Sequence, residues 1–139
     1  MSRILVVDDE EHIRSFFESE LADEGHEVIT VATGLRLVER IESIQPEVVI
    51  LDIKLVDSDG LDLLQEIREF YPDLSVILCS AYDSFRFEPK AMAADYYVIK
   101  SCDLSELKTK VEWALEANSV TRQPDTEGIR STDRPSMDT

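Results

Sequence analysis

Residues 4–12 read ILVVDDEEH, four apolar residues running directly into four carboxylates and a histidine. A short run rich in Val and Ile and bounded by acids is the pattern of a strand buried on both faces. The acids behind it gain nothing from packing and repel one another, so a positive charge must belong there. Outward from this stretch the apolar pattern recurs at 3–8 (RILVVD), 27–31 (EVITV), 47–52 (EVVILD), 75–80 (SVILCS) and 95–99 (DYYVI). Between these runs apolar residues fall at helical spacing. Ile13, Phe16, Phe17 and Leu21 make one stripe, Leu35, Val38 and Ile41 a second, Leu61, Leu64 and Ile67 a third, and Leu104, Leu107, Val111 and Leu115 a fourth. Residues 88–94 carry a shorter, weaker helical pattern. Asp103 with Glu106 predicts a capping box at the start of the last helix, where a carboxylate also suits the helix dipole. Strands apolar on both faces that alternate with helices imply a parallel sheet covered on both sides, the α/β doubly wound class. In that class the ligand crevice lies at the carboxyl ends of the strands.

The chain has 139 residues, 43% of them hydrophobic, enough for one domain with a real core. Its formal net charge of −16 argues against nucleic acid and membrane surfaces as partners, because phosphate backbones and anionic lipids repel it. Its natural attractions are to cations and basic surfaces. No apolar run approaches the roughly 18 residues of a membrane span, and the opening MSRILVV lacks a signal-peptide pattern, so a cytoplasmic location is expected. Cys79 lies in an apolar run and Cys102 in a polar turn, without metal-ligand spacing, which predicts two reduced thiols.

The strand reading turns the opening question into geometry. Asp8 and Asp9 follow the first strand, Asp52 ends the third, Ser80 ends the fourth and Lys100 follows the fifth, so all gather at one rim of the sheet. Any one of these acids alone reads as a helix cap or a solvated loop residue. Together, three carboxylates in a partly dry cleft need a cation to stay ionised. A hard divalent ion is implied, and Mg²⁺ fits because it takes oxygen ligands and keeps several waters.

The acid pair, Asp52, Ser80, the run AADYYVIK (93–100) and the order of strands and helices resemble the receiver domain of two-component response regulators, including single-domain regulators of the chemotaxis type. The resemblance covers residues 3 to about 117. It implies a flavodoxin-like (βα)5 fold with strand order 2-1-3-4-5, a receiver domain over 1–117 and a disordered tail over 118–139, whose composition suits disorder. It implies that Asp52 is the phosphoacceptor, receiving a phosphoryl group from a histidine kinase or phosphotransfer protein. Asp8, Asp9, Asp52 and the backbone carbonyl of Lys54 surround Mg²⁺ in that reading, with Mn²⁺ as a possible substitute. Ser80 then bonds the phosphoryl group, Lys100 offsets its charge, and Tyr97 is the aromatic switch that follows Ser80. The resemblance further implies a switch without separate substrate turnover that passes its signal to a downstream protein, as a monomer or weak homodimer.

The residue types suit that chemistry, since phosphoryl transfer needs positioning and charge neutralisation, for which a carboxylate nucleophile, a metal and an ammonium suffice. Three departures from the family pattern stand out. Leu55-Val56 replace the usual Met-Pro after the phosphoacceptor loop, although Asp59-Gly60 keeps the usual turn. Lys100 is followed by Ser101 in place of proline, so that bond is either trans with a rearranged loop or a strained cis bond costing about 3 kcal/mol. The Ser80–Lys100 spacing is short, the missing length falling in the fourth helix, where Pro89 restricts where a helix begins.

Other residues carry further expectations. The resemblance implies that Lys54 and Tyr82, two residues past the phosphoacceptor and two past the hydroxyl, flank the path of the hydrolytic water, and they are expected to tune dephosphorylation. Trp113 faces away from the stripe of the last helix and reads as a partner-surface anchor, with Phe85, Phe87 and Tyr97 on the same side. His12 and His26 read as surface or rim residues. Two competing readings remain beside the switch: a phosphorylation-independent interaction module with the same fold, and a metal-dependent phosphatase, which would lack a cap domain to enclose its substrate.

Overall fold

The computed structural model describes residues 2–122, of which 119–122 by backbone alone. Five strands and four α-helices alternate along most of the chain: β1 (Arg3–Val7), α1 (Glu11–Asp23), β2 (Glu27–Val31), α2 (Leu37–Ile44), β3 (Val48–Asp52), α3 (Gly60–Phe70), β4 (Ser75–Ser80), β5 (Tyr96–Ile99) and α4 (Ser105–Arg122). The strands form one parallel sheet in the expected order β2-β1-β3-β4-β5. Alternation along β1 explains why its run is apolar throughout. Leu5 and Val7 enter a core with α2 and α3, whereas Ile4 and Val6 enter a second core with α1 and α4. β3 and β4 are buried along their whole length, as central strands covered on both faces must be.

Helix stripes account for most of the covering layers. Phe17 and Leu21 of α1, Leu61, Leu64 and Ile67 of α3, and Leu104, Leu107 and Val111 at α4 are all buried, each such side chain contributing about 1.5–3 kcal/mol. The second stripe is displaced. Arg36 adopts a left-handed φ of 58°, so α2 begins at Leu37 and buries Leu37 and Ile41, leaving Leu35 56% exposed. The weak helical pattern over 88–94 also resolves differently. Two 3₁₀ turns, Ser84–Phe87 and Pro89–Ala93, stand where the fourth helix of a (βα)5 chain would be. Glu88 between them is extended, at φ −69° and ψ 135°, because the residue before a proline is pushed out of the helical region.

At α4, Asp103 accepts the N–H of Ser105 at 2.9 Å, while its own N–H goes to Ser101 Oγ at 3.0 Å and not to Glu106, so the capping box is not formed. The helix continues past residue 117, and Asn118 ties it to the sheet by donating to the Glu47 carbonyl at 2.8 Å and accepting from Ser75 Oγ at 3.1 Å. The rest of the expected tail, 123–139, lies outside the described residues. Peptide bonds among the described residues are trans, Lys100–Ser101 included. No helix among them is long and apolar enough to cross a membrane.

Candidate functional site: an acidic cleft closed by one lysine

Parallel strands end on the same side, which delivers Asp8 just past β1, Asp52 at the last position of β3, Ser80 at the last position of β4 and Lys100 just past β5 to one edge. Asp8 is 2% exposed and Asp52 4%. The Lys100 ammonium stands between them, 2.7 Å from Asp8 Oδ2 and 3.2 Å from Asp52 Oδ2, with Glu10 Oε1 farther off at 3.8 Å. Asp8, Asp9 and Asp52 each offer a carboxylate oxygen within 4.8 Å of the others. Three hard oxygen donors at that spacing, two of them nearly dry, fit a small divalent cation such as Mg²⁺.

Local bonds aim these groups. Asp8 Oδ1 accepts the Glu10 N–H at 2.9 Å, and its backbone carbonyl accepts from Arg14 Nη1 at 2.8 Å. Asp9 Oδ2 accepts the Val56 N–H at 2.8 Å, which ties the loop after β1 to the loop after β3. Gly60 lets α3 start directly against the backbone of Asp52: a Cβ there would stand 2.1 Å from the Asp52 carbonyl oxygen. Its N–H donates to the Ile53 carbonyl at 2.7 Å, and Asp59 caps the helix through the Leu61 N–H at 2.8 Å. The Asp59-Gly60 pair is legible as a turn; its distance from Asp52, and the reach of Arg14 to Asp8, leave no trace in sequence.

Electrostatics follow the burial. Burial first, and then the neighbouring Asp8, push the Asp52 carboxyl up to about 6, against the opposing pull of Lys100. Burial depresses Lys100, but its bonds to Asp8 and Asp52 more than offset that and leave it raised and cationic. Cys79, buried beneath the site, is pushed up to about 12 by burial and is an inert thiol. Ser80 is 1% exposed, and its Oγ accepts the Tyr82 N–H at 3.1 Å. Asp9, Asp52, Ser80 and Lys100 line a cleft of about 380 Å³ together with Lys54 and Tyr82. A hollow of about 470 Å³ lies at the opposite end of the strands, among Ile41, Gln45, Phe70, Tyr71 and Asn118, and gathers no comparable set of acids and cations.

The remaining candidates sit farther out. Tyr97 is half-buried, donates its hydroxyl to the Tyr82 carbonyl and carries the Arg86 guanidinium 4.8 Å above its ring. Lys54 is exposed and points its ammonium over the Phe85 ring, 5.2 Å from the centroid. The expected common surface of Trp113, Phe85, Phe87 and Tyr97 is not formed. Trp113 pairs with Tyr96 at 6.0 Å on the face of α1 and α4, whereas Phe85 and Tyr97 pack on the face of α2 and α3. Successive residues of β5 point to opposite faces, which separates Tyr96 from Tyr97 and their neighbours with them. Phe87 projects outward, 79% exposed. His12 is exposed, but the His26 side chain is nearly enclosed, 9% exposed, with Nε2 3.4 Å from Glu112, because the turn before β2 folds under α4.

A doubly wound five-stranded sheet with an acidic pocket closed by a lysine at its carboxyl edge defines a flavodoxin-like α/β protein of a particular kind. Residues 4–112 match the model of the response regulator receiver domain, and the chain belongs to that family. It is 37% identical over 118 residues to the DNA-binding transcriptional regulator NtrC of Azospirillum brasilense, covering 84% of this chain and 24% of that one. It is 34% identical over 125 residues to the regulatory protein AtoC of Escherichia coli K12, covering 88% of this chain and 27% of that one. The chain thus spans about a quarter of the length of these relatives. Among solved structures, the response regulator TrrA of Thermotoga maritima in complex with Mg²⁺-BeF superposes with a TM-score of 0.79 at 41% identity, covering 82% of this chain and 99% of that one. The structure of the histidine kinase ThkA in complex with TrrA matches with a TM-score of 0.78 at 42% identity, over 83% of this chain and 99% of the matched one.

Proposed function

We propose that the chain is the phosphoacceptor switch of a two-component system. The observation that carries this reading is the meeting of Asp8, Asp9 and Asp52 around one point, with Lys100 bridging two of them. An Asp52 oxygen attacks the phosphorus of a phosphohistidine on a histidine kinase or phosphotransfer protein; the N–P bond breaks, its electron pair stays on the imidazole, and an acyl phosphate forms on Asp52. Asp8, Asp9, the Asp52 carboxylate and the Lys54 backbone carbonyl would hold Mg²⁺, or Mn²⁺ in its place. Bound there, the ion neutralises phosphoryl charge and orients the group for in-line transfer. Lys100 keeps a cation beside the transferred group throughout. Ser80, whose oxygen accepts the Tyr82 N–H, has its own proton to give to a phosphoryl oxygen. Movement of Ser80 toward that oxygen pulls on Tyr82, and through the Tyr82 carbonyl on Tyr97, which turns inward as the switch. The phosphorylated form docks on a downstream protein or passes the group along a relay. Support comes from the family membership, from the Mg²⁺-BeF complex of TrrA and from the complex of TrrA with the histidine kinase ThkA.

Incubation with Mg²⁺ and acetyl phosphate, read by intact mass, tests this. One added phosphate is expected on the wild type and none on Asp52→Ala. The replacement of the fourth helix by 3₁₀ turns favours one competing reading, a module that binds its partner regardless of phosphorylation. That reading gains if partner binding is the same for the wild type, with or without acetyl phosphate, and for Asp52→Ala. Turnover of an unrelated phosphoester would point instead to a phosphatase.

A further inference from the structure

Lys54 belongs to the loop after β3 and Phe85 to the first 3₁₀ turn after β4, so the contact between them spans the mouth of the cleft from one wall to the other. The Lys54 ammonium lies 5.2 Å from the centre of the Phe85 ring. Phe85 is itself held on two sides: it packs against the core on the face of α2 and α3, and it takes Tyr82 edge-on at 6.1 Å. Lys54 and Tyr82 line the cleft beside Asp52. Among the described residues Lys54 forms no ion pair with a carboxylate, in a protein of net charge −16, and its ammonium rests over a ring face.

We propose that Lys54 and Phe85 form a clasp across the cleft that phosphorylation releases, a second connection between Asp52 and the 84–93 segment beside the one through Ser80 and Tyr97. This inference rests on the phosphoacceptor reading. A phosphoryl group on Asp52 places a dianion within the cleft that Lys54 already lines, and an ammonium prefers a dianion to the quadrupole of a ring because the first attraction involves full charges. Lys54 then swings from the ring to the phosphoryl oxygens. Phe85 loses its partner on the solvent side, and the 3₁₀ turn that carries it is freed to shift. That turn is short and followed by the extended Glu88, so little regular backbone bonding resists the movement.

Amide chemical shifts, with Mg²⁺ and beryllofluoride as the phosphoryl mimic, test the clasp. In the wild type, the amides of Arg86, Phe87 and Glu88 should move on addition of the mimic. Lys54→Met keeps the backbone carbonyl and the length of the side chain but removes the charge. In its mimic-free spectrum the same three amides should already lie at least halfway to their activated positions, and their remaining change should be at most half that of the wild type. Phe85→Leu should do the same, and the double variant should go no further than either single one, since both remove one contact. Asp52 and Ser80 amides should still respond in all variants. The clasp is wrong if Lys54→Met leaves Arg86, Phe87 and Glu88 at their wild-type positions, or if the two substitutions add. Should Asp52 and Ser80 fail to respond in the wild type, the phosphoacceptor reading itself fails, and the clasp with it.

Discussion

Asp52, the proposed nucleophile, sits in an environment that works against its own charge. Its carboxyl is raised from 3.8 to about 6, chiefly by burial and then by Asp8. The metal-free folded protein therefore takes up a proton as pH falls through about 6, whereas the unfolded chain holds that carboxylate ionised down to about 4. Its contribution to stability consequently rises as pH drops through that window and is lost above it. A divalent cation needs the ionised form, so Mg²⁺ affinity should fall about fourfold between pH 7.5 and 5.5 from this one group. Mg²⁺ titrations at the two pH values check this, and equal affinities would show that Asp52 is ionised throughout. Lys54 and Tyr82 are proposed to set how long the signal lasts. Both line the cleft, Tyr82 57% exposed, and on that proposal a long cation with a bulky ring would obstruct the approach of a hydrolytic water. Ground-state contacts not repeated in the transition state slow hydrolysis, about tenfold for each 1.4 kcal/mol. Lys54→Asn and Tyr82→Glu should each shorten the life of phospho-Asp52 under Mg²⁺. If neither speeds phosphate loss, the shielding idea goes.

Elements rather than single residues decide the outer surface. The connection from β4 to β5 holds two 3₁₀ turns because Pro89 interrupts it, and a helix long enough to cover that edge cannot form. Tyr82, Phe87 and Met92 are left exposed around it. On α4 the situation differs, since Trp113 is 48% exposed yet carries the Lys110 ammonium 4.3 Å from its ring and packs beside Tyr96. An exposed cation–ring contact is worth about 0.5–1 kcal/mol. Trp113→Ala should therefore lower the melting temperature by only a few degrees while weakening homodimer or partner binding, measurable by sedimentation or by titration with a cognate kinase. A drop as large as that of a core truncation, about 3–5 kcal/mol, would assign Trp113 to the core.

At the scale of the whole molecule, the charge of −16 and the convergence of carboxylates at one edge act together. A cation that binds only the folded site stabilises the entire domain by mass action, about 1.4 kcal/mol at ten times its dissociation constant. Melting curves with and without millimolar Mg²⁺ should differ by a few degrees for a domain of this size. Asp9→Ala should abolish the difference, since it removes one of the three carboxylate donors while leaving the two buried acids in place. An equal rise in both proteins would locate the ion elsewhere.

Sequence by itself determined the alternation of strands and helices, the sheet class and the gathering of Asp8, Asp9, Asp52, Ser80 and Lys100 at one edge. Those features follow from local periodicity and from where each apolar run stops, and both are written along the chain. Leu35 misled because periodicity cannot report the left-handed Arg36 that starts α2 two residues later. The 88–94 pattern misled because a stripe of apolar residues does not reveal which backbone form carries it, although Pro89 was the available signal. Only tertiary structure decided that Arg14 holds the Asp8 carbonyl, that Gly60 abuts Asp52, that Lys54 meets Phe85 and that Trp113 joins Tyr96 away from Tyr97. Each of these contacts joins residues whose distance depends on how separate segments pack, and packing is a property of the assembled sheet that no single segment encodes.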